Sequence, residues 1–299
     1  MDSDVARTGL SFVWLEITGL CQLECEHCYA VSGPAGDHGS MEPADWRRVI
    51  DEVVGLGVGM VQFIGGEPTL HPAFPELLDH ALGCGLEVEV FSNLVRMTPA
   101  TWDLMGRRGV RLATSYYSDR ACEHEWITNR RGSHARTRAN IAEAVRRSVP
   151  LRVGVIDVGA EQRSEHAVAD LRALGVVDVD VDRLREVGRG VRGGETGVAQ
   201  LCGRCGEGVV AISASGEVWP CVFSRWLPIG NVRDRLLSDV LASETAHRVI
   251  GELTAQTASR AAACQPTCSP SCSPTCNPIA CNPRGCWPAF SRSNHGGVA

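Results

Sequence analysis

Six apolar runs of strand length, Ser11–Thr18, Met60–Ile64, Glu87–Phe91, Arg111–Tyr116, Leu151–Val158 and Val177–Val181, recur along the first two-thirds of the chain. The segments between them are amphipathic. Trp46, Val49, Ile50 and Val53 recur at helical spacing, as do Ile141, Ala144, Val145 and Ser148. Thr98 followed by Pro99 reads as an N-cap with proline at the first helical position. Strands that alternate with helices pair in parallel through right-handed crossovers. The series therefore predicts an α/β fold, a partial (β/α)6 TIM-like barrel, with its chemistry at the C-terminal ends of the strands.

At that end of the first strand stands Cys21-Gln-Leu-Glu-Cys25-Glu-His-Cys28-Tyr29, a Cys-x3-Cys-x2-Cys set. Three thiolates this close can grip one metal centre. A [4Fe–4S] cube takes four ligands, so three cysteines leave one iron open. Zinc is the alternative, and it would want a fourth Cys or His. His27, inside the loop, reads as solvent-facing or as a neighbour of the ligands. After the second strand comes Gly65-Gly66-Glu67-Pro68. Paired glycines let a backbone approach a ligand closely, and their carbonyls with the Glu67 carboxylate can accept hydrogen bonds from an ammonium group.

The cysteine set with an aromatic residue directly after it, followed in order by Gly65–Pro68, resembles the signature of the radical S-adenosylmethionine (SAM) enzymes. In that family three cysteines hold a [4Fe–4S] cluster whose fourth iron is chelated by SAM. The resemblance assigns Cys21, Cys25 and Cys28 to the metal and Tyr29, Gly65, Gly66, Glu67 and Pro68 to the cofactor site. It extends to Ser92 and Asn93 beside the SAM ribose, Ser115 against SAM, and Gly154-Val155-Ile156, with Val155 against adenine. Each of these later residues reads equally well as an ordinary turn or core position. Gly188-Arg189-Gly190 is similar to relatives that modify peptides, while Arg189 also reads as simply exposed.

Cys202-Gly-Arg-Cys205 opens a second cysteine region, and Val209–Ser213 and Glu217–Trp219 read as a hairpin turning at Ala214-Ser215-Gly216. A hairpin returns the chain, so that Cys205 and Cys221 can face one metal. The pattern resembles a SPASM or twitch domain carrying one or two auxiliary [4Fe–4S] clusters, and the apolar helix around Leu236, Leu237, Val240 and Leu241 follows in the same order. Beyond it, Cys264, Cys268, Cys272, Cys276, Cys281 and Cys286 are interleaved with prolines and depart from the usual SPASM spacing. They are assigned as further cluster ligands, together with Cys202, Cys205 and Cys221; a disordered, metallothionein-like or zinc-binding tail is the alternative. The expected organisation is an extension over 1–10, the barrel over 11–195, a cysteine-rich auxiliary-cluster domain over 196–288, and a disordered tail over 289–299.

Composition narrows the function. The net charge of −6 does not favour a nucleic-acid substrate, although Arg130, Arg131, Arg136 and Arg138, and Arg183, Arg185, Arg189 and Arg192, form local clusters that suit either an anion or a solvated face. All 29 basic residues are arginine, which excludes Schiff-base or general-base lysine chemistry. No run approaches the ~20 apolar residues of a membrane span, and no signal sequence opens the chain, so a cytoplasmic location is expected and the 14 cysteines read as metal ligands.

The resemblance implies reductive cleavage of SAM to a 5′-deoxyadenosyl radical that takes hydrogen from a substrate. The substrate is expected to be a ribosomally made peptide, crosslinked or epimerised, with a flavodoxin or ferredoxin as electron donor. Because the first strand begins near residue 11, a separate peptide-recognition protein or the barrel face itself is expected to bind the peptide. Oxidation of a protein side chain or small molecule is the second reading, and a non-catalytic iron–sulfur or zinc protein the third. Cys122, after the fourth strand, is the candidate hydrogen donor; Tyr116 and Tyr117 share the position, and Cys84 reads as buried packing.

Overall fold

In the computed structural model, which describes residues 9–159, 162–194 and 196–263, the strands β1 (Phe12–Thr18), β2 (Met60–Gly65), β3 (Glu87–Phe91), β4 (Val110–Tyr116), β5 (Leu151–Asp157) and β6 (Asp178–Arg183) pair in parallel, each with its sequence neighbours. Helices α1 (Pro43–Gly55), α2 (Phe74–Gly83), α3 (Pro99–Met105), α4 (Ala121–Thr128), α5 (Ser133–Arg146) and α6 (Ser164–Ala173) form the crossovers. Every expected strand is present to within one or two residues. The β4–β5 connection carries two helices where simple alternation called for one. Ser148 lies past the end of α5, exposed and with φ of 56°, so it does not share the helix face of Ile141 and Ala144.

Local chemistry fixes the helix starts. Pro43 enters α1 while the Asp45 carboxylate accepts the Glu42 N–H at 2.9 Å. Thr98 Oγ1 accepts the Thr101 N–H at 3.1 Å ahead of Pro99. Trp46, Val49, Ile50 and Val53 of α1 are all fully buried against the sheet.

The expected hairpin, β7 (Val209–Ile212) and β8 (Glu217–Trp219), joins the sheet by pairing β7 in parallel with β1, and β9 (Gly230–Asn231) follows at the edge. The order is β6-β5-β4-β3-β2-β1-β7-β8-β9, a single sheet that continues from barrel into cysteine-rich region. The short α7 (Leu237–Leu241) and α8 (Glu244–Ala263) close the described chain. Cys264, Cys268, Cys272, Cys276, Cys281 and Cys286 lie outside the described residues.

Strand side chains alternate between the two faces of a sheet. One face of β2–β5 carries Gln62, Glu89, Arg111 and Arg152 and, two or more residues further on, Ile64, Phe91, Ser115 and Ile156. The first group is an ion layer. Glu89, fully buried, accepts from Arg152 Nε and Nη2 at 2.7 and 2.6 Å, from Arg111 Nε at 3.2 Å, and from the Gln62 amide. Burial raises the Glu89 pKa, but the Arg152 and Arg111 guanidiniums outweigh it and hold the carboxyl below its ordinary range. Removing the carboxylate breaks a buried ion pair and takes two hydrogen bonds from Arg152, so Glu89→Ala is expected to destabilise the fold by about 3–5 kcal/mol. A urea midpoint equal to that of the wild type would contradict the ion-layer account.

Candidate active site

The end of β1 and the loop after it are held by two close approaches to the end of β2. Gly66 N–H donates to Thr18 O at 2.7 Å, and Glu67 N–H to Leu20 O at 2.8 Å. A Cβ on Gly65 would sit 2.3 Å from Thr18 O, and one on Gly66 2.2 Å from Leu20 O. The glycine pair is thus required by the cysteine loop's own backbone, a role the sequence did not show.

One cavity opens above this junction at the C-terminal ends of the strands. Cys21, Cys25, Cys28, Tyr29, Gly65, Gly66, Asn93 and Ser115 all line it. None of the three cysteines is in a disulfide. Burial, the Glu67 carboxylate and Cys28 push the Cys21 thiol up to about 12, and burial with the other two sulfurs raises Cys25 strongly. Asn93 Nδ2 donates to Cys21 Sγ at 3.5 Å, and Leu23 N–H to the same sulfur at 3.4 Å. Such a trio repels its own negative charge and is relieved by a cation bound among the sulfurs. The donor set fits an iron–sulfur cluster, and the buried Ser32 Oγ on the same wall has no hydrogen-bond partner among the described residues.

Six residues named from sequence take other places. Glu67 is buried away from the cavity, with both oxygens used internally. Oε1 accepts from Thr69 N–H and Oγ1 at 3.2 and 2.6 Å, and Oε2 from Ser92 Oγ and Asn93 N–H at 3.1 and 2.9 Å. It clasps the β2 turn to the β3 turn rather than offering itself to an ammonium group. Ser92 faces Glu67, not the cavity, and Pro68, itself buried, starts a 3₁₀ turn over Pro68–Leu70. Val155 points into the helix-side core; its neighbour Ile156 lines the cavity, because successive strand residues face opposite ways. Cys122 is exposed on α4 and does not line the cavity, and Cys84 is half-exposed at the end of α2 rather than buried packing.

Of the other lining residues, His124, Asp182 and Phe223 carried no recognisable signal in the sequence. His124, two residues beyond Cys122, is buried against Tyr117 and Tyr116 at 5.2 Å each. His27 packs on Tyr117 at 4.9 Å rather than facing solvent. Tyr117, Asp182, Arg183, Arg185 and Phe223 form the remaining wall. Arg189 is not simply exposed: it donates to Cys25 O at 2.9 Å and Ser32 O at 2.6 Å, while its N–H bonds Cys28 O at 3.0 Å. Gly188 has φ of 61° and a Cβ there would lie 2.4 Å from Tyr29 O, so the turn after β6 seats directly on the cysteine loop.

Cys205 and Cys221 are brought together by the hairpin, buried, with Sγ atoms 3.1 Å apart. Burial raises the Cys221 pKa, but the Cys205 thiol hydrogen-bonded to it, with Phe223 and Ser224 beside it, holds it below its ordinary value. Cys202, half-buried three residues ahead of Cys205, is in a disulfide and so is not free to bind a cluster as the sequence suggested. Phe223 stacks edge-on against Tyr29 at 5.1 Å, and Arg225 binds buried Glu16 at 2.6 Å while lying 4.2 Å over Trp219. The two cysteine regions therefore share one packed interface.

The radical SAM superfamily profile matches residues 15–174. The chain belongs to the radical SAM superfamily. A second profile, described as an iron-sulfur cluster-binding domain (SPASM), matches residues 202–276. The radical SAM chain is 29% identical over 188 residues to the PqqA peptide cyclase of Xanthomonas campestris, covering 60% of this chain and 48% of that protein. Its match to the mycofactocin maturase MftC of Mycobacterium tuberculosis is 36% over 104 residues, 35% of this chain and 25% of MftC. The chain thus spans about half the length, or less, of these relatives. Its fold is similar to that of Streptococcus suis SuiB bound to the precursor peptide SuiA, with TM-score 0.69, 14% identity, and coverage of 82% of this chain and 66% of that one. It is also similar to anSMEcpe with bound AdoMet, with TM-score 0.64, 11% identity, and coverage of 82% and 83%. No described helix is long and apolar enough to cross a membrane.

Two outcomes follow from the site. Arg189→Met removes both guanidinium bonds to the cysteine loop, so iron bound by the reconstituted protein is expected to pass to a chelator several-fold faster than in the wild type. An unchanged rate would exclude the clamp. Burial and the nearby His134 push His124 down to about 3, against an ordinary value of 6.5. Between about pH 6 and 4 the unfolded chain then holds a proton at His124 that the native chain does not, and stability falls by about 1.4 kcal/mol per pH unit as pH drops. His124→Phe is expected to flatten the pH dependence of the urea midpoint by that amount; parallel slopes would show that His124 titrates normally.

Proposed function

We propose that the chain is a SAM-cleaving enzyme that modifies a ribosomally made peptide, and that Cys21, Cys25 and Cys28 hold its catalytic [4Fe–4S] cluster. The observation that carries this reading is the convergence of the three thiols with Gly65, Gly66 and Asn93 on one cavity at the C-terminal ends of the strands. When bound and reduced, the cluster supplies the electron that splits SAM into methionine and a 5′-deoxyadenosyl radical able to take hydrogen from a substrate.

The chain's residues position and shield. Arg189 and Gly188 lock the cysteine loop, and Glu67 fixes the Asn93 turn beside it. Gly65 and Gly66 offer backbone groups to SAM, and Ser115 and Ile156 form a mixed polar and apolar wall for its nucleoside part. His124, Tyr117 and Phe223 cover the reacting space and exclude water, and Asp182 and Arg183 give that wall polar groups suited to a peptide backbone. Cys205 and Cys221 are assigned to an auxiliary cluster together with cysteines from Cys264, Cys268, Cys272, Cys276, Cys281 and Cys286. The Tyr29–Phe223 contact lies between this pair and the catalytic loop. A peptide substrate is supported by the sequence likeness to a PqqA peptide cyclase. An electron donor of the flavodoxin or ferredoxin type and a separate peptide-recognition protein belong to the same proposal, as does a cytoplasmic location.

The test compares the wild type with a Cys21/Cys25/Cys28→Ala variant, both reconstituted without oxygen. The wild type is expected to form 5′-deoxyadenosine from SAM under reduction; the variant is expected to form none yet retain iron at the second cysteine region. A wild type that leaves SAM intact overturns the enzyme reading, and a variant without iron removes the auxiliary cluster. Peptide mass then resolves the outcome: loss of two hydrogens marks a crosslink, and uptake of solvent deuterium marks epimerisation.

A further inference from the structure

Three potential ligand atoms meet where α1 and α2 pack side by side, and none of the three residues lines the cavity. Asp51 Oδ1 lies 2.7 Å from His80 Nε2, and Cys84 Sγ lies 3.6 Å from that oxygen and 3.8 Å from that nitrogen. We propose that Asp51, His80 and Cys84 form a peripheral metal site for a zinc-class divalent cation, separate from the iron–sulfur chemistry and independent of the proposed function.

The distances suit the ion. Tetrahedral zinc with oxygen and nitrogen at about 2.0 Å and sulfur at about 2.3 Å sets sulfur about 3.6 Å from either lighter donor, and those two about 3.3 Å apart. Both sulfur separations are thus already within about 0.2 Å of the requirement. Only the His80–Asp51 hydrogen bond has to open, by about 0.6 Å, as the ion takes the place of the shared proton. His80 and Cys84 stand four residues apart, which puts them on one side of α2, and the C-terminal end of that helix favours positive charge. A thiolate, an imidazole and a carboxylate suit zinc better than magnesium or calcium, which take oxygen donors.

The charge pattern around the site agrees. Asp45 and Glu52 pair with Arg48, Glu76 with Arg47, and Asp79 with Arg107. Among the described residues, Asp51 faces no arginine; its partners are His80 and Cys84. On binding, the Cys84 thiol proton leaves to solvent, the proton on His80 Nε2 moves to Nδ1, or to solvent where Nδ1 already carries one, so that the imidazole binds neutral, and water completes the coordination. The ion then ties α1 to α2, the helices that follow the strands bearing the cysteine loop and the glycine turn.

The experiment uses the full chain with its iron–sulfur clusters reconstituted. Alkylation of Cys84 by iodoacetamide is followed by peptide mass mapping with and without zinc chloride, with exposed Cys122 as internal control. Zinc is expected to slow alkylation of Cys84 about tenfold once it exceeds the dissociation constant by a similar factor, and to leave Cys122 unchanged. Asp51→Ala and His80→Ala are each expected to abolish the protection, with continued shielding of Cys205 and Cys221 reporting that the variants fold. Equal Cys84 rates with and without zinc overturn the site. Protection that persists in both variants also overturns it, because the metal would then be held elsewhere.

Discussion

The structure depends on the contact between two backbones at the top of β1 and β2. Thr18 and Leu20 present their carbonyls to the N–H groups of Gly66 and Glu67, and the space between leaves no room for a Cβ at residue 65 or 66. The parallel pairing of β1 with β2 is thereby carried past the strand ends into the loops. The cysteine loop starts at this junction, so the position of three sulfurs is fixed by sheet geometry. Glu67, turned inward, transmits the constraint to the β3 turn and places Asn93 against Cys21.

From that junction the site is built by clamps approaching from three sides. Glu67 ties β2 to β3, Arg189 reaches from beyond β6 to hold the carbonyls of Cys25 and Ser32, and Arg225 reaches from the hairpin to Glu16 on β1. Below the cavity, Glu89 and Arg152 fill the barrel with a buried ion layer. Such a layer is costly to desolvate and becomes favourable only when each charge is matched, as it is here by three side-chain partners on Glu89. A rigid floor and a clamped loop suit a site that must keep a reactive species from water.

Much of this was legible in the sequence, for physical reasons that can be named. Strand and helix periods carried the barrel, since buried parallel strands need apolar runs and their crossovers need amphipathic helices. The Cys21–Cys28 run and the Gly65-Gly66 pair were readable because their chemistry is local. Glu67, Ser92, Val155 and Cys122 show where local reading stops. Which way a side chain points depends on strand register and helix phase: Ile156 rather than Val155, and His124 rather than Cys122, reach the cavity. Arg189 was ambiguous for a similar reason, since its partners lie 157 and 164 residues away in the chain. The Asp51–His80–Cys84 cluster was invisible because it arises only when two helices pack.

The most direct measurement is the electron paramagnetic resonance spectrum of the reduced, reconstituted protein, recorded with and without SAM. If Cys21, Cys25 and Cys28 hold a cluster with one iron open, adding SAM changes the spectrum of the wild type, and the Cys21/Cys25/Cys28→Ala variant loses the responsive signal while keeping any auxiliary one. A wild-type spectrum indifferent to SAM, or a SAM-responsive signal that survives in the variant, would contradict the assignment.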